Sequence, residues 1–426
     1  MSIYDQYCKA YKVTTDSRNV EPNSVFFALK GEHFDGNDFA LEVAEKGVAS
    51  LVVADRPTLP DHPRIAKVKD ALETLQALAM MHRLMMPNLK VIAITGTNGK
   101  TTTKELVSAV LSKKYPLIHT EGNYNNHIGV PLTLLRITPE TRIAVVEMGA
   151  NHPGEIKFLA DRTEPDYGII TNIGRAHLEG FGNYEGVIRT KNELYENLRK
   201  NGKTIFVNHD NPMLMALLEP GDRTFSYGQD GTSDCIVSMV SCSPYLRVNN
   251  QRLGDIQTQL IGAYNFENVA AAIAVGTYFG VADDDIREAI EGYKPTNGRS
   301  QVIEGKNHII MDAYNANPTS MAAAIRNFKS ICGAHPLPIL GDMRELGEAS
   351  ENEHRGIIDL LWMYGFREAF LVGPCFCQYN EHPEYRTFPT IDDLTAYLEA
   401  HPLEGKTILV KGSRGIRLEK ALPLIQ

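Results

Sequence analysis

A glycine loop between an apolar run and a helical pattern carries the strongest chemical signal in this sequence. Residues 90–104 read KVIAITGTNGKTTTK, which predicts a buried parallel strand, a turn, and a helix from about Thr101. Gly96 and Gly99 allow successive backbone N–H groups to point at one place, which the positive end of the helix dipole also faces. Lys100 adds a full positive charge, and the Thr101 hydroxyl can bind magnesium. Together these features predict a nucleoside triphosphate site.

The loop is one residue tighter than the usual phosphate loop. The spacing G-x-x-x-x-G-K-[ST] would require glycine where Ile94 stands. A helix cap with an incidental lysine is the alternative, and the flanking strand and helix argue against it. We predict that ATP contacts the loop residues Gly96, Thr97, Asn98, Gly99, Lys100, Thr101 and Thr102.

Two further residues follow predicted strands. Glu147 ends the apolar run RIAVVE, where a phosphate-loop protein places a second magnesium contact. Its alternative role is that of a solvated carboxylate at a strand end. His177 follows the next strand in TNIGRAHLEGFG, and the pattern alone favours a hydrogen-bonded surface histidine.

The pattern predicts ordinary structural roles for two other groups. Asn125 and Asn126 belong to the amide-rich phrase EGNYNNHIGVP, where side chains usually form turns with the backbone. Lys191 lies in an amphipathic helix whose apolar stripe is Val187, Leu194 and Leu198, and we expect it to be a solvated lysine.

Length and composition limit what the protein can be. With 426 residues we expect two to four domains of about 150 residues each. A net charge of −9 argues against a nucleic-acid partner. No apolar run approaches the roughly 18 residues of a membrane span, and the N-terminal residues lack the apolar core of a signal peptide. We therefore expect a cytoplasmic protein. The six cysteines lack zinc-site spacing.

Alternating strand and helix patterns predict an α/β protein of three domains. Residues 1–86 predict a small N-terminal α/β domain, 87–297 a central phosphate-loop domain with a parallel sheet, and 298–426 a C-terminal Rossmann-like, doubly wound domain. In the last domain we expect strands at 308–311, 337–340, 368–372 and 407–410, and helices near 319–331, 351–363, 391–400 and 416–422.

Eight phrases in a fixed order carry a family resemblance that spans nearly the whole chain. The chain resembles the Mur ligases of bacterial cell-wall synthesis, and among them the members that add D-Ala-D-Ala. The phrases are ITGTNGKTTTKE, GNYNNHIGVPLTLL, VVEMGA, TNIGRAHLEGFG, GAYNFENVAAAIA, DAYNANPTSM, GDMRELG and KGSRG.

The resemblance implies an ATP-dependent amide ligase. In that family the three domains bind the UDP-sugar peptide, ATP and the incoming amino acid or dipeptide. ATP would phosphorylate the terminal carboxylate of UDP-N-acetylmuramoyl-tripeptide, and the amine of D-Ala-D-Ala would attack the acyl phosphate. ADP and phosphate leave. We also expect two Mg²⁺ ions and a monomer.

The resemblance also assigns residues near the phosphates. Thr101 and Glu147 match magnesium ligands, and His177 matches a ligand of the second ion. Lys191 matches a lysine that is carbamylated in the family, which makes it a carboxylate analogue. With Lys100, these residues would form the catalytic centre.

The nucleotide contacts implied beyond the loop come from two domains. Asn265 and Asn268 match positions near adenine, although this chain has Tyr264 where the family often has histidine, and a helix cap by Asn265 is an equal alternative. Arg299 would contact the γ-phosphate and Asp312 the ribose. The alternative for both is a surface ion pair.

Substrate contacts are implied in all three domains. The alternative for those in the third domain is a turn with solvated cations. The implied UDP-sugar contacts are Ser17, Arg18 and Lys30; Asn125 and Asn126 are substrate candidates in the central domain; Asn315, Asn317, Lys411, Ser413 and Arg414 are candidates for D-Ala-D-Ala or phosphate.

Three rival functions remain open at this point. A diaminopimelate-adding Mur enzyme usually carries a DNPR phrase, which this chain lacks, and folylpolyglutamate synthetase has DGAHNP where this chain has DAYNANP. A nucleotide-binding switch would not need a separate acceptor crevice, and the sequence pattern predicts one in the third domain. The third residue of the tripeptide and the base for the attacking amine are not assigned.

Overall fold

The computed structural model describes residues 2–295 and 298–426. It contains a four-stranded, a seven-stranded, a three-stranded and a six-stranded sheet in these residues. The predicted boundary at 297/298 adjoins Thr296 and Asn297, which lie outside the described residues. No helix in the described ranges has both the length and the apolar composition that crossing a membrane requires.

The N-terminal sheet is parallel, with strands in sequence order. Its central strands are buried and alternate with helices along the chain, which confirms the prediction of a small N-terminal α/β domain. The elements are α1 (Ile3–Tyr7), β1 (Val13–Thr14), β2 (Val25–Phe27), α2 (Ala40–Lys46), β3 (Leu51–Ala54), β4 (Ile65–Lys67) and α3 (Ala71–Leu84), with a 3-10 turn at Gly36–Phe39.

The central sheet is wholly parallel and is covered on both faces. Its first half contains β5 (Lys90–Thr95), α4 (Lys100–Ser112), β6 (Leu117–His119), α5 (Gly129–Leu134), β7 (Ile143–Glu147), α6 (Glu155–Thr163) and β8 (Tyr167–Ile170). Its second half contains α7 (Leu178–Phe181), α8 (Tyr184–Lys200), β9 (Thr204–Asn208), α9 (Pro212–Met215), β10 (Arg223–Gly228) and β11 (Cys235–Ile236).

The strand order of this sheet is β11-β10-β9-β8-β5-β7-β6. Val91 and Ala93 of β5 join one core, whereas Ile92 and Ile94 join the core on the opposite face. This two-sided burial explains why β5 is a continuous apolar run. A small antiparallel sheet and two helices follow: β12 (Ser238–Ser241), β13 (Arg247–Asn250), β14 (Gly254–Gln257), α10 (Phe266–Tyr278) and α11 (Asp283–Gly292).

The third sheet is doubly wound, with order β15-β16-β20-β17-β18-β19 and only β15 antiparallel among the described strands. Ile309 and Ile310 of β16 belong to cores on opposite faces. The strands are β15 (Gln301–Glu304), β16 (His308–Asp312), β17 (Pro336–Gly341), β18 (Ala369–Val372), β19 (Tyr385–Phe388) and β20 (Thr407–Lys411). The helices are α12 (Pro318–Ile331), α13 (Ser350–Met363), α14 (Pro374–Tyr379), α15 (Ile391–Ala400) and α16 (Leu422–Ile425).

The four predicted strands and three of the four predicted helices of this domain are confirmed. The prediction of a helix over 416–422 was wrong. The chain forms 3-10 turns at Arg414–Ile416 and Leu418–Ala421 and then the short α16. Arg417, between the two turns, has φ +63°, a left-handed conformation that interrupts a right-handed helix.

Candidate active site

The phosphate loop connects the carboxyl end of β5 to the first turn of α4. Gly96 has φ +144° and Gly99 has φ +78°, conformations that glycine adopts without strain. A Cβ atom on Gly96 would collide with the Thr171 side chain, and one on Gly99 would lie 2.5 Å from Asn268 Oδ1. The loop therefore requires glycine at both positions for conformational and for steric reasons.

Lys100 folds back over this loop. Its Nζ donates to the carbonyl oxygens of Gly96 at 2.8 Å and Thr97 at 2.9 Å. The pKa of Lys100 is lowered, mainly because the ammonium group is buried. The Glu147 carboxylate partly opposes this shift, and the positive charge of Arg299 adds to it. The ammonium group is thus held at the loop by backbone oxygens. Because it is buried, binding an anion beside it would stabilise its positive charge.

Glu147 lies at the carboxyl end of β7, the neighbour of β5, and is 2% exposed. Its Oε2 accepts a hydrogen bond from Thr101 Oγ1 at 2.9 Å, and its Oε1 accepts one from Asn125 Nδ2 at 2.8 Å. The Glu147 backbone N–H donates to Thr120 Oγ1 at 3.0 Å. The hydroxyl and the carboxylate offer the oxygen ligands that Mg²⁺ prefers.

Lys191 is buried, so the prediction of a solvated lysine was wrong. The residue lies on α8, is 2% exposed, and its Nζ is 5.5 Å from the centre of the Phe181 ring. Burial lowers the pKa of Lys191 to about 7, and the charge of Lys100 contributes to the shift. Near neutral pH a substantial fraction of this side chain is therefore an uncharged, nucleophilic amine.

His177 precedes α7 and faces the third domain. Its Nδ1 lies against the Glu345 carboxylate, and the hydrogen bond from His177 lowers the pKa of Glu345. Among the hydrogen bonds and ion pairs of the described residues, His177 contacts Glu345 and not Glu147. Glu345 was not predicted as a site residue, although it belongs to the GDMRELG phrase.

The two predicted adenine amides are joined to each other and to the loop helix. Asn268 Oδ1 accepts from Thr103 Oγ1 at 2.9 Å, and Asn268 Nδ2 donates to Asn265 Oδ1 at 2.9 Å. Asn265 Nδ2 donates to Ile261 O at 2.9 Å. The Asn265 side chain makes no capping hydrogen bond to α10, so the capping alternative is not observed. The Tyr264 hydroxyl instead forms a hydrogen bond with Ser300 Oγ at 2.8 Å.

The predicted nucleotide residues of the third domain lie around the ends of β16 and β20. Asp312 Oδ2 accepts from Lys411 Nζ at 2.8 Å, and its Oδ1 accepts from the Ser300 backbone N–H at 3.2 Å. The Lys411 side chain is 3% exposed, so this pair is more deeply buried than the surface pair that was the alternative. The guanidinium carbon of Arg299 lies 3.6 Å from the Tyr314 ring centre.

One side-chain contact ties the third domain directly to the phosphate loop. Asn317, the N-cap of α12, donates from Nδ2 to Asn98 Oδ1 at 2.8 Å. Its own Oδ1 accepts from the Ser320 backbone N–H at 2.9 Å. Asn317 thus starts a helix and reaches across the domain boundary at the same time.

The other predicted substrate residues make both local contacts and contacts with distant parts of the chain. Asn126 Oδ1 accepts from the Gly129 N–H at 2.9 Å, as its turn alternative requires. Asn315 Oδ1 accepts from the next backbone N–H at 2.8 Å. Ser413 Oγ accepts from the Arg344 N–H at 3.0 Å. The Arg414 guanidinium carbon is 5.5 Å from the Tyr314 ring centre.

A large cavity brings most of these residues together. It has a volume of about 1260 Å³ and is lined by the whole phosphate loop, Glu147, His177 and Lys191. The N-terminal domain contributes residues such as Asp70 and Gln76, and the third domain contributes residues such as Tyr314. The volume exceeds the range of about 300–1,000 Å³ that is usual for one drug-sized ligand. The cavity can therefore hold two reactants side by side.

Ser17, Arg18 and Lys30 are not among the residues that line this cavity. They follow the carboxyl ends of β1 and β2, at one edge of the N-terminal sheet. Arg18 makes an exposed pair with Asp16, and Lys30 Nζ lies 3.7 Å from the Asp55 carboxylate. The structure groups these residues with each other and leaves them apart from the phosphate loop.

Family models cover most of the chain. Residues 9–87 match the Mur ligase family, catalytic domain; residues 94–276 match the Mur ligase middle domain; and residues 298–414 match the Mur ligase, glutamate ligase domain.

Full-length relatives agree with these matches. The chain is 37% identical over 425 residues to the UDP-N-acetylmuramoyl-tripeptide--D-alanyl-D-alanine ligase of Bacillus subtilis, which covers 96% of this chain and 91% of the relative. A crystal structure of MurF from Acinetobacter baumannii has a TM-score of 0.86 at 31% identity and covers 97% of this chain and 92% of that one. MurF ligase from Thermotoga maritima in complex with ADP has a TM-score of 0.84 at 27% identity, with 100% and 98% covered.

Proposed function

The chain belongs to the Mur ligase family, and on this premise we propose that it joins D-alanyl-D-alanine to UDP-N-acetylmuramoyl-tripeptide in peptidoglycan precursor synthesis. The protein is an ATP-dependent ligase that releases ADP and phosphate. The observation that carries the proposal is the cavity in which a phosphate loop, a magnesium-type oxygen pair and residues of all three domains meet.

The chemistry requires two anions to be brought together. A carboxylate is a poor electrophile, so the γ-phosphate of ATP is transferred to the terminal carboxylate of the tripeptide, which gives an acyl phosphate. Lys100 neutralises phosphate charge at the loop, and Arg299 brings a second cation from the third domain. The dipeptide amine then attacks the acyl carbon, and the tetrahedral intermediate loses phosphate.

Thr101 and Glu147 fit a magnesium ion. Their oxygens are already adjacent, and Glu147 is oriented by Asn125 on its other oxygen. When bound there, the ion supplies positive charge beside the transferring phosphate. Glu147 is buried, and its carboxylate accepts hydrogen bonds from the neutral side chains of Thr101 and Asn125, so a cation would also offset its desolvation.

Lys191 is proposed to be carbamylated. The neutral amine nitrogen would form a bond to the carbon of carbon dioxide and lose one proton to solvent, so the lowered pKa of Lys191 favours the reaction at neutral pH. The product is a carboxylate, which would replace repulsion between Lys191 and Lys100 by attraction. The new anion would also lie in the cavity that contains Glu147 and the phosphate loop.

His177 is proposed as a ligand of a second magnesium ion. Its Nδ1 lies against the Glu345 carboxylate, so Nε2 is the ring nitrogen that would bind the ion. A carboxylate on Nδ1 would then orient the imidazole for that role.

The remaining assignments are part of the same proposal. The N-terminal sheet edge with Ser17, Arg18 and Lys30 binds the UDP-sugar, the pair Asn265 and Asn268 lies beside adenine, and Asp312 contacts the ribose. We place the domain boundaries at 86/87 and 297/298 and propose that the protein acts as a monomer.

Release of ADP by the purified protein tests the function. With ATP, magnesium and UDP-N-acetylmuramoyl-tripeptide, we expect release to depend on D-Ala-D-Ala, and we expect mass spectrometry to show the extended peptide. Release that neither substrate stimulates would contradict the substrate assignment. The rival ligases are distinguished by the same assay with their own substrate pairs: UDP-N-acetylmuramoyl-L-alanyl-D-glutamate with diaminopimelate, and a folate with glutamate.

A further inference from the structure

A second, smaller cavity lies between the central and third domains. It has a volume of about 210 Å³, which is below the range for drug-sized ligands and suits a small molecule. Its lining includes small residues, two arginines and one carboxylate: Ala176, Ala316 and Gly415; Arg344 and Arg414; and Glu345.

The two arginines give this cavity an excess of positive charge. Neither Arg344 nor Arg414 forms an ion pair with a carboxylate in the described ranges. In the described part of the chain, the one hydrogen bond of the Arg344 side chain goes to Gly415 O, at 3.4 Å, and Arg414 lies near the Tyr314 ring. Glu345, the one acid of the lining, is already paired with His177. An anionic group is therefore the ligand whose charge this lining can balance.

The backbone is shaped to hold Arg344 in place. A Cβ atom on Gly415 would collide with the Arg344 guanidinium, so glycine at this position leaves room for the guanidinium where it lies. The Arg344 backbone N–H is fixed by Ser413 Oγ at 3.0 Å. Both contacts join the loop after β17 to the loop after β20, so the guanidinium is positioned by two strand ends of one sheet.

The small cavity adjoins the large one. Four residues line both: Ala176, His177, Asn315 and Asn317. Arg344 lines only the small cavity, so it lies away from the phosphate loop. A ligand in the small cavity therefore has one end at the shared residues, near the reacting phosphate, and one end beside Arg344.

We propose that this small cavity orients D-Ala-D-Ala, with the terminal carboxylate of the dipeptide on Arg344 and its amine at the mouth shared with the large cavity. The inference rests on the proposed function and deepens it, because it makes Arg344 the residue that selects acceptors with a free carboxylate. Arg414 supplies a second positive charge at the same end. Ala176 and Ala316 leave room for methyl groups, whereas larger side chains on the dipeptide would not fit.

Two acceptors that differ only at the carboxylate test this orientation. The kcat/KM values are measured for D-Ala-D-Ala and for its uncharged C-terminal amide, with the wild-type enzyme and with Arg344→Gln. We expect the wild type to prefer the carboxylate at least about tenfold, since charge-assisted hydrogen bonds contribute more than neutral ones. Arg344→Gln should lose most of that preference while KM for ATP stays within about twofold.

A matched variant separates this role from a general loss of structure. Arg355→Gln removes an exposed arginine of the same domain that pairs with Glu351 and Glu381, outside both cavities. It should keep the wild-type preference.

The orientation would be overturned if Arg344→Gln lowered kcat/KM equally for the dipeptide and its amide, or if the wild type did not prefer the carboxylate. Either result would leave the ligase function standing. If the wild type joined neither acceptor, the proposed function would fail and the orientation with it.

Discussion

The two halves of the ATP site differ in how their charges are balanced. In the central domain, Lys100 is bonded to loop carbonyls and Thr101 to Glu147, so the polar groups satisfy one another. In the third domain, Arg299 lies over an aromatic ring, and Arg299 has no ion pair with a carboxylate in the part of the chain that the structure describes. The central half is a preformed phosphate site. The half in the third domain carries the Arg299 cation, whose charge a bound ligand would balance.

This difference assigns the two halves different tasks. The central half has its geometry fixed by a buried sheet edge, so it can align phosphate and metal without reorganising. Side-chain contacts join the third domain to the central domain: Asn317 donates to Asn98 of the phosphate loop, and Arg175, which follows β8, pairs with Glu353. We expect the third domain to add its charge when substrate is bound.

The largest effect is expected from the preformed half. Lys100→Ala removes the cation that the loop holds, so kcat/KM for ATP should fall about a thousandfold or more. Initial rates of ADP release with both substrates measure this. Lys113→Ala, at the far end of α4, is the control and should retain activity. A Lys100→Ala variant within tenfold of the wild type would refute the phosphate-loop assignment.

A Lys191 variant tests whether the phosphate site needs a further negative charge. Lys191→Ala should lower kcat about a hundredfold or more, because misplacement of reacting groups by about 1 Å has effects of that size. Short carboxylic acids should partly restore the rate if a carbamate is the functional group. Unimpaired activity of the unrescued variant would show that Lys191 is not part of the catalytic centre.

The same lysine makes a prediction about stability. Its folded-state pKa of about 7 lies below the usual value of 10.5. Between these values the unfolded chain binds a proton that the folded chain does not, so raising the pH stabilises the wild type relative to Lys191→Met. The advantage of Lys191→Met should be constant below pH 7 and shrink by at most about 1.4 kcal/mol per pH unit above it.

Urea unfolding in buffer free of carbon dioxide, from pH 6 to 9, measures this difference. Lys203→Met, which removes a half-exposed lysine paired with Asp166, serves as the comparison. A Lys191→Met advantage that does not change with pH would mean that Lys191 stays charged in the folded protein.

The smallest effect is expected in the third domain. Tyr314→Leu removes the ring on which Arg299 rests, a contact of about 1–2 kcal/mol when desolvated, so KM for ATP should rise about 5- to 30-fold. Tyr314→Phe keeps the ring and should behave like the wild type. If both variants lose activity equally, the hydroxyl and not the ring is the functional part.

The sequence was informative where function depends on neighbouring residues. The phosphate loop could be predicted because strand, glycines, lysine and helix are consecutive. Glu147 could be placed beside it because the carboxyl ends of parallel strands share an edge. Tyr314 and Glu345 were missed, since their roles arise from contacts with Arg299 and His177, which are distant in the chain.

Lys191 shows a signal that could have been used. Positions 187, 191, 194 and 198 share one helical face, so Lys191 occupies the apolar stripe itself. The position of Lys191 in the apolar stripe indicated a buried side chain, although lysine side chains are usually exposed to solvent. The neighbouring charge of Lys100, which also shifts its pKa, could not be inferred from that spacing.

The large cavity has a consequence for how the enzyme responds to its medium. At a share of about 30 Å³ per molecule, a volume of about 1260 Å³ corresponds to several tens of water molecules. Substrate binding must return much of this water to the bulk. The apparent affinity for substrates is then coupled to water activity, so osmolytes that are excluded from the cavity would favour the substrate-bound enzyme.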